Sequence, residues 1–186
     1  MGKKVVFLVG LLVLLGGALV FKSSMKGNHD LVKPTDMIAI FPPNVPSADV
    51  AKVELYRGSK EEEKVCVEKI GGKWILKSLY DAPADADTVM EIVRHIKTMY
   101  GEYRSSDPDI LADYLLDEDN ALHYVLYDGK GDVIVYFLNG KGALETSFVR
   151  FKDSDDVYVV NTDLRTPSGV DEIPGGSPPS HYWMDK

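Results

Sequence analysis

Side chains able to hold a metal, move a proton or attack a carbon are thinly spread through this sequence. The four histidines, His29, His95, His123 and His181, are far apart. None has the H-x-x-x-H or H-E-x-x-H spacing that brings two imidazoles onto one helix face around zinc. The single cysteine, Cys66, lies in the apolar run Val65-Cys66-Val67. One thiol makes neither an internal disulfide nor a cysteine-rich metal site, so it reads as a small buried side chain. Gly140-Lys141-Gly142 lacks the strand, helix and Gly-Lys-Ser/Thr of a phosphate loop, and there is no Gly-x-Ser-x-Gly elbow. Asp113, Asp117, Glu118 and Asp119 lack the alternation of a calcium loop and read as a solvated helix exit. No catalytic residue, metal or cofactor follows from these patterns.

Aromatic residues offer more. Trp74, Tyr80, Tyr103, Tyr182 and Trp183 form the candidate interaction surface. Two-faced rings give large contact area with a polar handle. Trp74, Tyr80, Tyr100 and Tyr103 would make a sugar-stacking platform if they converge, whereas Trp74 between Lys73 and Ile75 also suits a core anchor. The formal charge of −8 over 186 residues excludes a nucleic-acid partner, which needs a cationic track to displace counterions.

The elements that would hold these residues follow from local pattern. Alternation at Val53, Leu55 and Arg57 predicts a first strand, Val65 to Ile70 a second and Lys73 to Lys77 a third, the last two joined at Gly71-Gly72. Asp85 caps a helix in which Val89, Ile92, Val93, Ile96, Met99 and Tyr100 form one buried stripe, ended by Gly101. His95 lies off that stripe. Ser106-Asp107-Pro108 opens a shorter second helix to about Leu116. Strands follow at Leu122 to Tyr127, Val133 to Leu138, Ala143 to Phe151 and Val157 to Val160, with Asn139-Gly140 as a hairpin turn. Both faces of Val133 to Leu138 are apolar, so that strand is central, with a helix over one side. The fold class is α+β, an antiparallel sheet of hairpins against one main amphipathic helix. Prolines at 34, 42, 43 and 46 make 27–49 a linker or extended entry, in which Met37 to Phe41 is a short strand or a docking segment, and the Pro/Gly-rich stretch 166–186 a tail, leaving 50–165 as the domain.

The N-terminus sets the compartment. Lys3 and Lys4 precede an uncharged apolar run from Val5 to Phe21, and Lys22 restores polarity. As a helix the run spans about 25 Å, near the thickness of a bilayer core. Gly16, Gly17 and Ala18 fall inside the run, and no small-x-small cleavage motif follows it. Residues 1–26 therefore read as an uncleaved transmembrane signal anchor. It meets membrane lipid from Val5 to Phe21 and leaves the bulk on the extracytoplasmic side of the cell membrane.

Several stretches, in order, resemble a known family. They are Val53-Glu54-Leu55, Gly72-Lys73-Trp74-Ile75-Leu76, Ala82-Pro83-Ala84-Asp85, Leu111-Ala112-Asp113-Tyr114-Leu115-Leu116-Asp117, Phe148-Val149-Arg150 and Val157-Tyr158-Val159-Val160. Together they are similar to the bacterial domain of unknown function 4340, described beside gliding-motility-type ABC transporter components. The family usually carries glycine where this chain has Leu115. Trp183-Met184-Asp185-Lys186 looks like the segment between repeated copies, so the resemblance implies either a single-module version or a fragment of a longer one. The resemblance brings no established catalytic residue. It implies an anchored accessory module, not an enzyme, with ABC-type transporter subunits as partners. A domain binding envelope glycans or peptides is the alternative, and an acidic envelope hydrolase a third reading.

Overall fold

Short runs of alternating apolar and polar residues, separated by glycine pairs and acidic turns, form strands throughout the residues described by the computed structural model, 37–143, 145–170 and 176–185. The strands are β1 (Met37–Ala39), β2 (Val50–Arg57), β3 (Val65–Ile70), β4 (Lys73–Leu76), β5 (Ala82–Pro83), β6 (Tyr100–Ser105), β7 (Leu122–Asp128), β8 (Val133–Ala143), β9 (Thr146–Phe151) and β10 (Val157–Val160). All ten join one sheet in the order β1-β6-β10-β9-β8-β7-β2-β3-β4-β5. Every neighbouring pair is antiparallel. One main helix, α1 (Ala86–Lys97), accompanies it among the described residues. The α+β class follows.

The Asp85 side chain caps α1 by accepting from the N–H groups of Asp87 at 2.9 Å and Thr88 at 3.3 Å, an arrangement worth about 1 kcal/mol. Val89, Ile92, Val93 and Ile96 are buried at helical spacing, as their pattern predicts. They share one core with Leu55, Val67, Leu76, Tyr124 and Phe137 from the sheet. The helix ends sooner than expected. Met99 is buried just past it, but Tyr100 is exposed and opens β6. Gly101 does not stop the helix. It lies in β6, where an added Cβ would come within 2.9 Å of the Tyr158 Cβ.

The sheet's other face carries a second, smaller core of Leu116, Ala121, Leu138 and Val157, with Ile110, Leu111 and Tyr114 packed on it. The expected second helix is replaced here by a single 3-10 turn, Pro108–Ile110, capped by Asp107. Leu115 has φ +55°, which breaks the helical path and turns the apolar residues of this segment onto the sheet. A positive φ is the conformation glycine serves, so Leu115 holds it under strain.

Asn139-Gly140 is not a turn. Both residues lie inside β8, at a register shift before Gly142, and the chain reverses between Ala143 and Thr146. An added Cβ on Gly140 would stand 2.1 Å from the Tyr114 carbonyl oxygen, so the missing side chain permits the close approach.

Segments expected as linker and tail are built into the body on both sides of 50–165. β1 pairs with β6, and Ile40 and Phe41 are buried behind it. At the other end, Val170 and Trp183 join the main core. Prolines that forbid a helix there are compatible with extended chain held by tertiary contacts. Among the described residues no helix is long and apolar enough to cross a membrane, and the expected anchor lies outside them.

Candidate interaction site

The C-terminal segment is extended by Pro178 and Pro179 and ends in a 3-10 turn, Ser180–Trp183. Three backbone carbonyls tie it down. Arg57 Nε donates to the Gly176 carbonyl at 2.8 Å, the Asp85 N–H to the Trp183 carbonyl at 2.9 Å, and the Asp185 N–H to the Pro83 carbonyl at 3.0 Å. Ala84 and Met184 form an antiparallel bridge beyond β5. Trp183 is 0% exposed. Tyr182 lies over Gly169, whose φ is +72°, and an added Cβ there would fall 2.5 Å from the tyrosine ring. The segment thus adds a short piece of strand to the sheet edge and sinks one indole beside it.

A groove of about 800 Å³ runs along this segment, with Ser177 to Ser180 on one side and Lys64, Cys66, Lys77 and Ser78 on the other. Burial pushes the Cys66 thiol up, and the Glu54 carboxylate adds to that, against the opposing charges of Lys52 and Lys64. The thiol is therefore protonated and weakly nucleophilic. Lys77 is paired with Asp81 at 2.6 Å.

Two polar clusters stand on the sheet itself. The first centres on Glu54, buried in β2, which meets Lys52 at 2.8 Å, Lys64 at 3.7 Å and the Tyr127 hydroxyl at 3.0 Å. Burial raises this carboxyl, but the hydrogen bonds from Lys52 and Tyr127 and the lysine charges outweigh it and hold it below the usual range. Tyr127 is pushed up to about 12 by burial and by the Glu54 carboxylate it touches.

The second cluster joins β2, β7, β8 and β9 to the segment covering the smaller core. His123 bonds the Tyr136 hydroxyl at 2.8 Å and the Glu118 carbonyl at 2.9 Å, and stacks on Tyr56 at 4.7 Å. Tyr56 and Tyr136 share a hydrogen bond of 2.7 Å. Arg150, buried in β9, donates to the carbonyls of Leu116, Phe151, Lys152 and Ser154 and reaches the Glu118 carboxylate at 2.6 Å. Lys152 bonds the other Glu118 oxygen. Burial would raise that carboxyl, yet its two cations lower it overall. Both clusters direct their donors and acceptors at one another, which suits a scaffold that fixes loops on a sheet. No group of three or more metal-ligating side chains occurs among the described residues.

The five sequence-predicted residues do not form one surface. Trp74, 6% exposed, belongs to the core as an anchor, and Trp183 is buried beside the last strand. Burial of both indoles corrects their assignment to an interaction surface. Tyr182 stays exposed over Gly169. Tyr80 is 99% exposed on a tight turn closed by the Ala82 N–H on the Leu79 carbonyl, with φ +50° at Tyr80 and +59° at Asp81. Tyr103 is exposed on β6 and meets Tyr158 edge to face at 6.0 Å. β6 and β4 stand second and ninth in the sheet. Seven strand-to-strand steps along the sheet therefore lie between Tyr103 and the Tyr80 turn. Sequence reasoning missed Arg150 and Glu54. Their one visible signal is a charge at an interior position of a β-like run.

A family model described as Domain of unknown function (DUF4340) matches residues 74–169, more than half of the chain. No curated protein and no solved structure matches.

Proposed function

We propose a function for a chain that belongs to the family described as domain of unknown function DUF4340: it is an accessory interaction module, tethered to the cell membrane with its body on the extracytoplasmic side. The observation that carries the tether is the uncharged apolar run from Val5 to Phe21 between lysines. Residues 22–36 separate that run from β1, so an uncut anchor keeps the β-rich body near lipid. The partners proposed are membrane proteins of the ABC-transporter type. An accessory role is favoured over catalysis because the polar clusters are occupied with internal bonds. Glu54 and Glu118 sit below the usual carboxylate range, whereas a general acid for hydrolysis needs a raised one.

The test is fractionation followed by mild detergent extraction and affinity isolation of the intact chain. The reading expects sedimentation with membranes and recovery of a stoichiometric membrane-protein partner. A chain isolated alone, or one that starts beyond Lys22 and stays in the aqueous fraction, would contradict it.

A second reading, peptide binding, is favoured by the way the C-terminal segment lies against the sheet edge and its groove. The glycan version is weakened by burial of Trp74.

A further inference from the structure

We infer that the place taken by Trp183 is a peptide-binding socket, filled by the chain's own tail until an extended partner segment carrying a bulky aromatic side chain displaces it. The inference deepens the interaction reading above and rests on it, by naming the kind of segment the module holds. Three observations support it.

The tail is held as an added strand is held. β5 is the last strand of the sheet, and beyond it lies only the Ala84–Met184 bridge among the described residues. The Asp85 N–H and the Pro83 carbonyl bond the backbone on either side of Met184. In such binding the main chain supplies affinity and a pocket for one side chain supplies specificity. Here that side chain is Trp183, while its neighbours His181, Tyr182, Met184 and Asp185 are exposed. Pro178 is buried as well, and the Tyr182 ring lies over Gly169, so the indole is the deepest of several contacts along an extended backbone.

The tail also fits its own slot imperfectly. Of the four buried polar side-chain atoms without a hydrogen-bond partner among the described residues, two belong to this segment, Trp183 Nε1 and Ser177 Oγ. A buried donor without an acceptor weakens docking. A competing segment that presents a ring without an N–H, or that brings an acceptor, starts with an advantage.

The groove of about 800 Å³ beside the tail, bounded by Lys64, Cys66 and Lys77, leaves room for the flanking side chains of a longer segment. The groove borders the tail at Ser177 to Ser180, just before the buried ring, so a longer segment would enter from that end.

The test uses the full chain in detergent micelles and a labelled peptide of residues 176–185. By anisotropy, the peptide is expected to bind the Trp183→Ala chain at least ten-fold tighter than the wild-type chain, whose socket is filled. The same peptide carrying Trp183→Ala is expected not to bind. Equal binding to both chains, equal binding of both peptides, or no binding would overturn the inference. Hydrogen exchange on the wild-type chain supplies an independent readout. The Asp85 and Asp185 amides should exchange by local opening, before those of β7. Exchange of all of them in one cooperative step would overturn it, as would a Trp183→Ala chain that stays unfolded with peptide at saturation. Peptide binding by a chain that isolates without any membrane partner would sink the tether reading alone. A chain that keeps its partner but ignores the peptide would sink the socket alone.

Discussion

His123 Nδ1 lies 2.8 Å from the Tyr136 hydroxyl, and this contact fixes the direction of a buried relay. Across the ring, Nε2 faces the Glu118 carbonyl at 2.9 Å. A carbonyl only accepts, so Nε2 carries the proton and Nδ1 accepts from Tyr136. The Tyr136 oxygen then accepts from Tyr56. The neutral imidazole holds the loop around Glu118 to β7 and β8 with each ring nitrogen used once.

The relay makes stability depend on pH in a stated direction. Burial lowers the His123 pKa from its ordinary 6.5, partly offset by the Glu118 carbonyl and carboxylate and reinforced by Lys152 and Arg150. An unfolded chain therefore binds this proton more readily than the folded one. The stabilisation is complete above pH 6.5 and is lost as pH falls from there toward the depressed folded value. Glu54 and Glu118, both lowered from 4.5, add a second loss of the same sign below pH 4.5. Urea midpoints measured from pH 7 to 5 should fall for the wild-type chain. His123→Gln should flatten that slope while leaving the loss below 4.5, and an unchanged slope would refute the assignment.

Arg150 is the strongest single tie between the sheet and its covering segment. It serves the carbonyls of Leu116, Phe151, Lys152 and Ser154 and pairs with Glu118. Arg150→Ala leaves the buried Leu116 carbonyl without its donor, at a cost of about 1–3 kcal/mol, while the half-exposed Glu118 carboxylate keeps Lys152 and adds little. Arg150→Lys keeps the charge but not the planar fork, so it should recover only part of the loss. Denaturation of the three proteins checks this order, and an Arg150→Lys chain as stable as wild type would show that charge alone matters.

These ties also explain which parts of the fold were legible beforehand. The helix from Ala86 and the hairpin at Gly71-Gly72 depend on neighbours in sequence, so period and turn chemistry reveal them. Met37–Ala39 was visible as an apolar run suited to a short strand, but its partner β6, like that of the segment around Trp183, lies far along the chain, and the prolines beside both read locally as linker. Apolar residues from Ile110 to Leu116 match a helix in spacing, but their packing on Leu138 and Val157 rewards a different path. Of the candidate site, the aromatic types were visible while their separation across the sheet was not. Convergence is a property of strand order, which no local pattern encodes.

Gly140 tests the correction at Asn139-Gly140. Were these residues a solvent-facing hairpin turn, alanine would cost only about 1 kcal/mol, for the positive φ that such a turn asks of its glycine. In β8 an added Cβ would meet the Tyr114 carbonyl at 2.1 Å and Leu116 at 3.0 Å. Gly140→Ala should then cost about 3 kcal/mol or more through overpacking. Gly129 has open space around it, and Gly129→Ala should change stability by less than about 0.5 kcal/mol. Thermal or urea melts of the pair decide the matter, and a Gly140→Ala loss of about 1 kcal/mol or less would show that the Tyr114 carbonyl does not crowd this position.

Leu115 presents the opposite case, a side chain where glycine belongs. Its φ of +55° places Cβ against the backbone, a conformation costing an L-residue about 1 kcal/mol or more. Its neighbours hold it there, because the Leu116 N–H bonds the Leu111 carbonyl at 2.8 Å and Leu116 is fully buried. Replacing Leu115 loses a half-buried side chain in either of two variants, so their difference isolates the backbone. Glycine ordinarily destabilises relative to alanine by loosening the unfolded chain. At this position the order should invert, with Leu115→Gly about 1 kcal/mol more stable than Leu115→Ala. Urea denaturation with equal m-values for the two proteins checks it, and an alanine variant at least as stable as the glycine one would mean that Leu115 does not hold a left-handed conformation in solution.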